Sequence, residues 1–154
     1  MKSAQVLIIL GSKSDTETIK GCGELLDKFG VAYIQEVSSA HRNPARTGEI
    51  IKKAESDGVK VIIAAAGMAA ALPGFAASQT ILPVIGVPLA NSALNGMDAL
   101  FSVVQMPAGV PVAAVAIGSH GAKNAALLAI EILALSDGNL KEKLLAYRKE
   151  LGGA

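Results

Sequence analysis

Residues 4–29 read AQVLIILGSKSDTETIKGCGELLDKF, and the pattern changes once along them. Positions 4–10 are a short, almost continuously apolar run, as expected for a strand covered on both faces. From 15 to 29 the apolar residues Ile19, Cys22, Leu25, Leu26 and Phe29 recur near a 3.6-residue period and share one helical face. Ser14 and Glu17 read as a capping box opening that helix. Gly21 and Gly23 inside it cost about 1 kcal/mol each relative to alanine, so they point to close packing. A buried strand feeding an amphipathic helix is the repeating unit of a parallel sheet flanked by helices.

The alternation continues through apolar runs at 31–37, 59–65, 83–87 and 111–117, which brings the expected strands to five. Asn43 followed by Pro44 is an N-cap with proline at the first helical position. The stretch 122–135 is apolar nearly all round, broken by Lys123, Asn124 and Glu131, and must be buried on several faces. At 139–151 Leu140, Leu144, Tyr147 and Leu151 form an amphipathic helix expected to pack on a neighbouring subunit. The expected architecture is a three-layer α/β/α sandwich. Residues 1–154 are expected to form one domain, with its core at 4–135.

The chain is 51% hydrophobic and 18% charged, with mean hydropathy +0.46. No apolar run approaches the roughly 20 residues of a membrane span. The surplus apolar surface instead predicts subunit interfaces. Lys and Arg number 14 against 13 Asp and Glu, and aromatics are 3% with no Trp. Neither feature suits nucleic acid. Cys22 is alone, which rules out an internal disulfide and a multi-cysteine metal site. The first apolar run is cut short by GSKSD and lacks a small-residue cleavage pattern, so it reads as a strand and the cytoplasm as the compartment.

Ligands of open parallel sheets bind beyond the carboxyl ends of the strands. Here those ends lead into GSKSD, SSAHR, AAGMAAALPG, PLANSALNG and GSHGAKN, five loops rich in small and polar residues. They outline a site for a polar, anionic small molecule approached closely by main chain. Gly11 and Ser12 offer a backbone amide and a hydroxyl to a phosphate, though neither G-x-x-x-x-G-K-[ST] nor G-x-G-x-x-G is present. Asp15 also suits the first turn of a helix for purely structural reasons. His41 can give and take a proton near neutral pH, and Arg42 beside it can hold a phosphate bidentately. A solvated loop with a snorkelling arginine is an equal alternative on that stretch alone. His120 and His41 are too far apart in sequence, without acidic or cysteine partners at ligand spacing, to suggest zinc.

GSKSD, SSAHRNP, AAALPG, LPVIGVP, LNGMDALFSVVQMPAGVPVAAVAIG and AKNAALLAIEIL occur in this order and cover about residues 5 to 135. In these blocks the chain resembles the N5-carboxyaminoimidazole ribonucleotide mutases of purine biosynthesis, the PurE family. The resemblance implies a flavodoxin-like fold, a homo-octamer, and a carboxyl shift from the exocyclic amine to ring carbon 4. It implies no metal and no organic cofactor. Carried over by motif, His41 is the proton carrier, and Gly11, Ser12, Asp15 and Arg42 bind the phosphate and ribose region. Ser39 and Ala40 line the pocket, while Gly67, Ala70 and Leu72 hold the carbon dioxide released between steps.

One departure from the family is plain. Where members usually read GAGGAAHLPG, this chain has AAGMAAALPG, so the motif histidine is Ala71 and a glycine is Met68. His120, on another loop of the same edge, is a candidate to substitute for the missing imidazole. The alternatives are a direct aminoimidazole ribonucleotide carboxylase, a paralogue acting on another carboxylated ribonucleotide, and a protein that binds the nucleotide without chemistry. Flavin binding is disfavoured by the scarcity of aromatics.

Overall fold

Val6, Ile8 and Leu10 of the first strand point to one side of the sheet and Leu7 and Ile9 to the other, all fully buried. Two cores form on the two faces of one sheet, which is why the run is apolar at every position instead of alternating. A computed structural model describes residues 3–153; Met1, Lys2 and Ala154 of the expected 1–154 domain lie outside the described residues. The strands are β1 (Val6–Leu10), β2 (Tyr33–Val37), β3 (Val61–Gly67), β4 (Val84–Leu89) and β5 (Ala113–Ala114). The helices are α1 (Thr16–Phe29), α2 (Pro44–Ser56), α3 (Ala71–Gln79), α4 (Met97–Val104), α5 (Ser119–Ala134) and α6 (Gly138–Leu151). All strand pairings are parallel, in the order β2-β1-β3-β4-β5. This is the flavodoxin-like order, with its switch point between β1 and β3.

Helices α1 and α5 cover one face, and their packing brings Ile19, Cys22 and Leu26 against Ala122, Ala125 and Ala129. A methyl on Gly21 would meet the Lys123 stem at 3.0 Å, and one on Gly23 would meet the Tyr33 hydroxyl at 2.6 Å. The two glycines thus admit α5 and β2 respectively. On the other face Ile51, Leu72, Ala76 and Val103 of α2, α3 and α4 pack against Leu7, Ile9 and Ile62. Each fully buried leucine or isoleucine contributes about 1.5–3 kcal/mol of transfer free energy.

Two local expectations change. The cap at the first helix belongs to Ser12, which accepts from Ser14 N while Asp15 accepts from Ser12 N. A turn of 3₁₀ helix at Lys13–Asp15 precedes α1, so the box moves back from Ser14 and Glu17. The fifth strand, expected over 111–117, is regular only at Ala113–Ala114. It pairs with β4 alone, and as an edge it has no second ladder to extend it. In α6, Leu140, Leu144 and Tyr147 pack on the chain's own α1 and α5, with Tyr147 edge-on to Phe29 at 5.6 Å. Leu145 and Leu151 face outward and are exposed.

Gly86 in β4 has no room for a side chain: a Cβ there would press on Val103 and lie 2.9 Å from Val112 and 3.1 Å from Pro73. Gly86→Ala is expected to destabilise the fold by about 1–3 kcal/mol through overpacking. Urea unfolding would read this as a lower midpoint at unchanged slope; a midpoint equal to wild type would refute the packing.

Candidate active site

The connections leaving β1 and β3 run to opposite faces of the sheet, so a crevice opens beyond their carboxyl ends. A cavity of about 580 Å³ occupies it, within the range of small-molecule sites. Four loops build its walls. Gly11, Ser12 and Asp15 come from β1; Ser39, Ala40, His41 and Arg42 follow β2; Gly67, Ala70 and Leu72 follow β3; Asn91 follows β4. His41 and all of the substrate-binding candidates therefore share one cavity. The loop after β5 contributes nothing to its lining, and His120, exposed at the second residue of α5, stands outside it.

The β1 loop is a small hydrogen-bonded knot. Gly11 N donates to Ala65 O at 3.1 Å, carrying the β1–β3 pairing one residue past the strand. Ser12 N donates to Asp15 Oδ2 at 2.9 Å, and the Ser12 and Ser14 hydroxyls are 2.9 Å apart. The β2 loop is anchored beneath by the buried Ser38 hydroxyl, 2.8 Å from that of Thr47. Thr47 in turn donates to Asn43 O at 2.9 Å, in the first turn of α2. Above this anchor Ser39 accepts from Arg42 N, and the Arg42 guanidinium donates to Gly11 O at 3.4 Å. His41 precedes Arg42 in this turn, exposed and lining the cavity.

In the β3 loop Ala70 N donates to Gly67 O, making a tight turn into α3. Met68 and Ala70 both take positive φ, +54° and +25°, which costs non-glycine residues on the order of 1–2 kcal/mol each. Met68 is 63% exposed at the mouth of the cavity. No side chain caps α3, so its first N–H groups remain available to a negatively charged group. Ala71, in the place of the family's histidine, lines the wall beside Leu72.

Asn91 escaped the sequence reading. Its Nδ2 donates to Asp15 Oδ1 at 3.1 Å, across 76 residues of chain. The available signal was weak: a polar residue four positions past the end of the fourth apolar run. Asp15 is only 3% exposed, and burial pushes its pKa above the usual carboxylate value. The bonds from Ser12 N, Asn91 and Ser14 pull the other way.

A flavodoxin-like sheet with a serine-, arginine- and histidine-lined cavity at its switch point defines an α/β protein that binds a small anionic molecule and can move a proton. The family model described as AIR carboxylase matches residues 5–153. The N5-carboxyaminoimidazole ribonucleotide mutase of Pyrococcus horikoshii is 54% identical over 153 residues, covering 98% of this chain and 85% of its own. That of Vibrio vulnificus is 53% identical over 146 residues, covering 95% and 91%. The crystal structure of Treponema denticola PurE superposes with a TM-score of 0.88 at 30% identity, covering 96% of this chain and 91% of its own. This chain belongs to the AIR carboxylase family.

The raised pKa of Asp15 links the site to stability. A carboxyl with a higher pKa folded than unfolded binds more protons in the native state. Its stabilising contribution is therefore full below the unfolded value and lost as pH rises through the folded one. Asp15→Asn should remove that loss, so thermal melts above pH 4 should depend less on pH than those of wild type, with Tm at pH 7 no lower. A markedly lower Tm at pH 7 would show that the carboxylate supports the fold.

Proposed function

We propose that this chain is an isomerase that converts N5-carboxyaminoimidazole ribonucleotide to 4-carboxyaminoimidazole ribonucleotide in purine biosynthesis. The observation that carries the reading is the presence of His41 in one cavity with Ser12, Asp15 and Arg42, in a chain of this family. Arg42 and the Ser12 loop would hold the phosphate. Asp15 would meet the ribose, and Ser39 and Ala40 the flank of the base.

The chemistry asks for one acid–base group. Protonated His41 gives its proton to the exocyclic nitrogen as the N–C bond breaks, releasing carbon dioxide and leaving the amine. Ring carbon 4 then attacks carbon dioxide, a C–C bond forms, and neutral His41 takes the ring proton. The imidazole returns to its first state, and the substrate and product have the same atoms. Between the steps carbon dioxide must stay in place. Gly67, Ala70 and Leu72, together with the uncapped start of α3, make a close, largely apolar pocket with amide donors for that purpose. No step needs a metal or an organic cofactor.

The proposal extends to a single-domain, cytoplasmic enzyme assembled as a homo-octamer. Support for assembly comes from large apolar side chains left uncovered in one subunit, among them Ile81, 96% exposed, and Leu135, 88% exposed. The outward Leu145 and Leu151 of α6 belong to the same class of surface. Sedimentation should give a mass eight times that of the 15.6 kDa chain, and a monomer would sink this part.

The test is a direct assay of interconversion between the two carboxy isomers. Wild type should turn over without added bicarbonate, and His41→Asn should lose about 10²–10⁴-fold in kcat while still binding the nucleotide. His120→Ala should stay within about twofold, because in its own subunit that side chain stands away from the cavity. Turnover of aminoimidazole ribonucleotide plus bicarbonate alone would instead make this a direct carboxylase. Full activity in His41→Asn would remove the proton carrier from the scheme.

A further inference from the structure

Asn91 reaches from the β4 loop over the end of β3 to the β1 loop, and three observations give that reach a purpose. Its amide donates to Asp15 Oδ1 at 3.1 Å. Its carboxamide lies across the bare backbone of Gly67, where a methyl group would overlap it. Asp15 itself is buried, and its other oxygen accepts from Ser12 N at 2.9 Å. We propose that Asn91 is the positioning residue for Asp15, holding the carboxylate ionised and turned so that its unused lone pairs face the hydroxyl-bearing part of the nucleotide.

The physical basis is a count of donors. A carboxylate has about four acceptor positions; Ser12 N and Asn91 Nδ2 fill one on each oxygen, and the Ser14 hydroxyl adds a further interaction. With both oxygens tied, rotation of the group is restricted at the wall of the cavity that Asp15 lines. Burial favours the neutral acid, which would offer an O–H in place of an acceptor; the Asn91 bond opposes that change. The neighbouring charges leave this job to Asn91. The β1 loop supplies Lys13, exposed beside Asp15, and the β2 loop supplies His41 and Arg42, with the Arg42 guanidinium on Gly11 O. The β3 lining from Ala66 to Leu72 carries no titratable group, and Asp98 beyond β4 is engaged by Ser92 at 2.8 Å.

Gly67 then has a role besides flexibility. Its φ is not in the left-handed region, so its missing side chain serves space, and the space is taken by Asn91. Gly67→Ala and Asn91→Ala should therefore disturb the same contact from opposite ends.

The substrate terms of this inference rest on the nucleotide reading above; the carboxylate terms do not. The experiment follows the Asp15 carboxyl carbon by NMR through a pH titration, in wild type and Asn91→Ala. Alongside it, kcat and KM for carboxyaminoimidazole ribonucleotide are measured in wild type, Asn91→Ala, Gly67→Ala and the double variant. Asn91→Ala should move the Asp15 midpoint upward and raise KM by about 10–100-fold with a smaller change in kcat, the range of a lost hydrogen bond to a charged group. Gly67→Ala should cost a similar factor in wild type but add less than about threefold in the Asn91→Ala background. An unmoved Asp15 midpoint overturns the inference, as does an unchanged KM or full additivity of the two substitutions. If wild type fails to turn the nucleotide over, the functional reading falls, and the NMR titration alone decides the positioning role.

Discussion

The structure depends on the pairing of β1 with β3. Their register sets Leu10 beside Ala65, and one further hydrogen bond, Gly11 N to Ala65 O, continues the ladder to the point where the two chains part. From there one chain turns into the Ser12–Asp15 knot and the other into the strained Met68–Ala70 turn. Because the helices that follow lie on opposite faces, the space between them cannot be closed by secondary structure. The cavity is the gap that this topology leaves.

Small side chains at that edge let the loops converge. Ala64, Ala65 and Ala66 end β3 within the core, and Gly67 leaves the room that Asn91 fills. The same edge holds the features least favourable to folding: a buried carboxylate whose pKa is pushed up, and three non-glycine residues at positive φ, Met68, Ala70 and Asn95. The polar groups that burial removes from water there are paired, Asp15 with Ser12 N and Asn91, and Ser38 with Thr47. Unfavourable terms thus gather around one cavity, while two apolar cores of leucine, isoleucine, valine and alanine carry the stability.

Much of this was legible in the sequence because the signals were local. Continuous apolar runs marked β1, β3 and β4, and Asn43-Pro44 marked the start of α2, where the Asn43 side chain accepts from Arg46 N. SAHR stood out because histidine and arginine at the end of an apolar run need a reason to be there. Other features were hidden. Ser14 looked like a cap as plausibly as Ser12, since both precede an acidic residue by three positions. The first residues of α3 fell within the loop read after the third strand, and α4 was not singled out, for both helices are short and start without a capping side chain. The apolar stripe of α6 marked a helix, but nothing in its pattern says that Leu140, Leu144 and Tyr147 meet the chain's own core.

The sequence by itself determined the fold class, the positions of the loops at one sheet edge, and the residue types able to hold a phosphate and move a proton. Periodicity and motif spacing are properties of neighbours in the chain, so one sequence displays them. Only the tertiary structure decided that Asn91 meets Asp15, that Gly67 makes room for it, and that His120 stands apart from His41's cavity. Those outcomes join residues dozens of positions apart, and they follow from the strand order and register that bring four loops together and turn the fifth away.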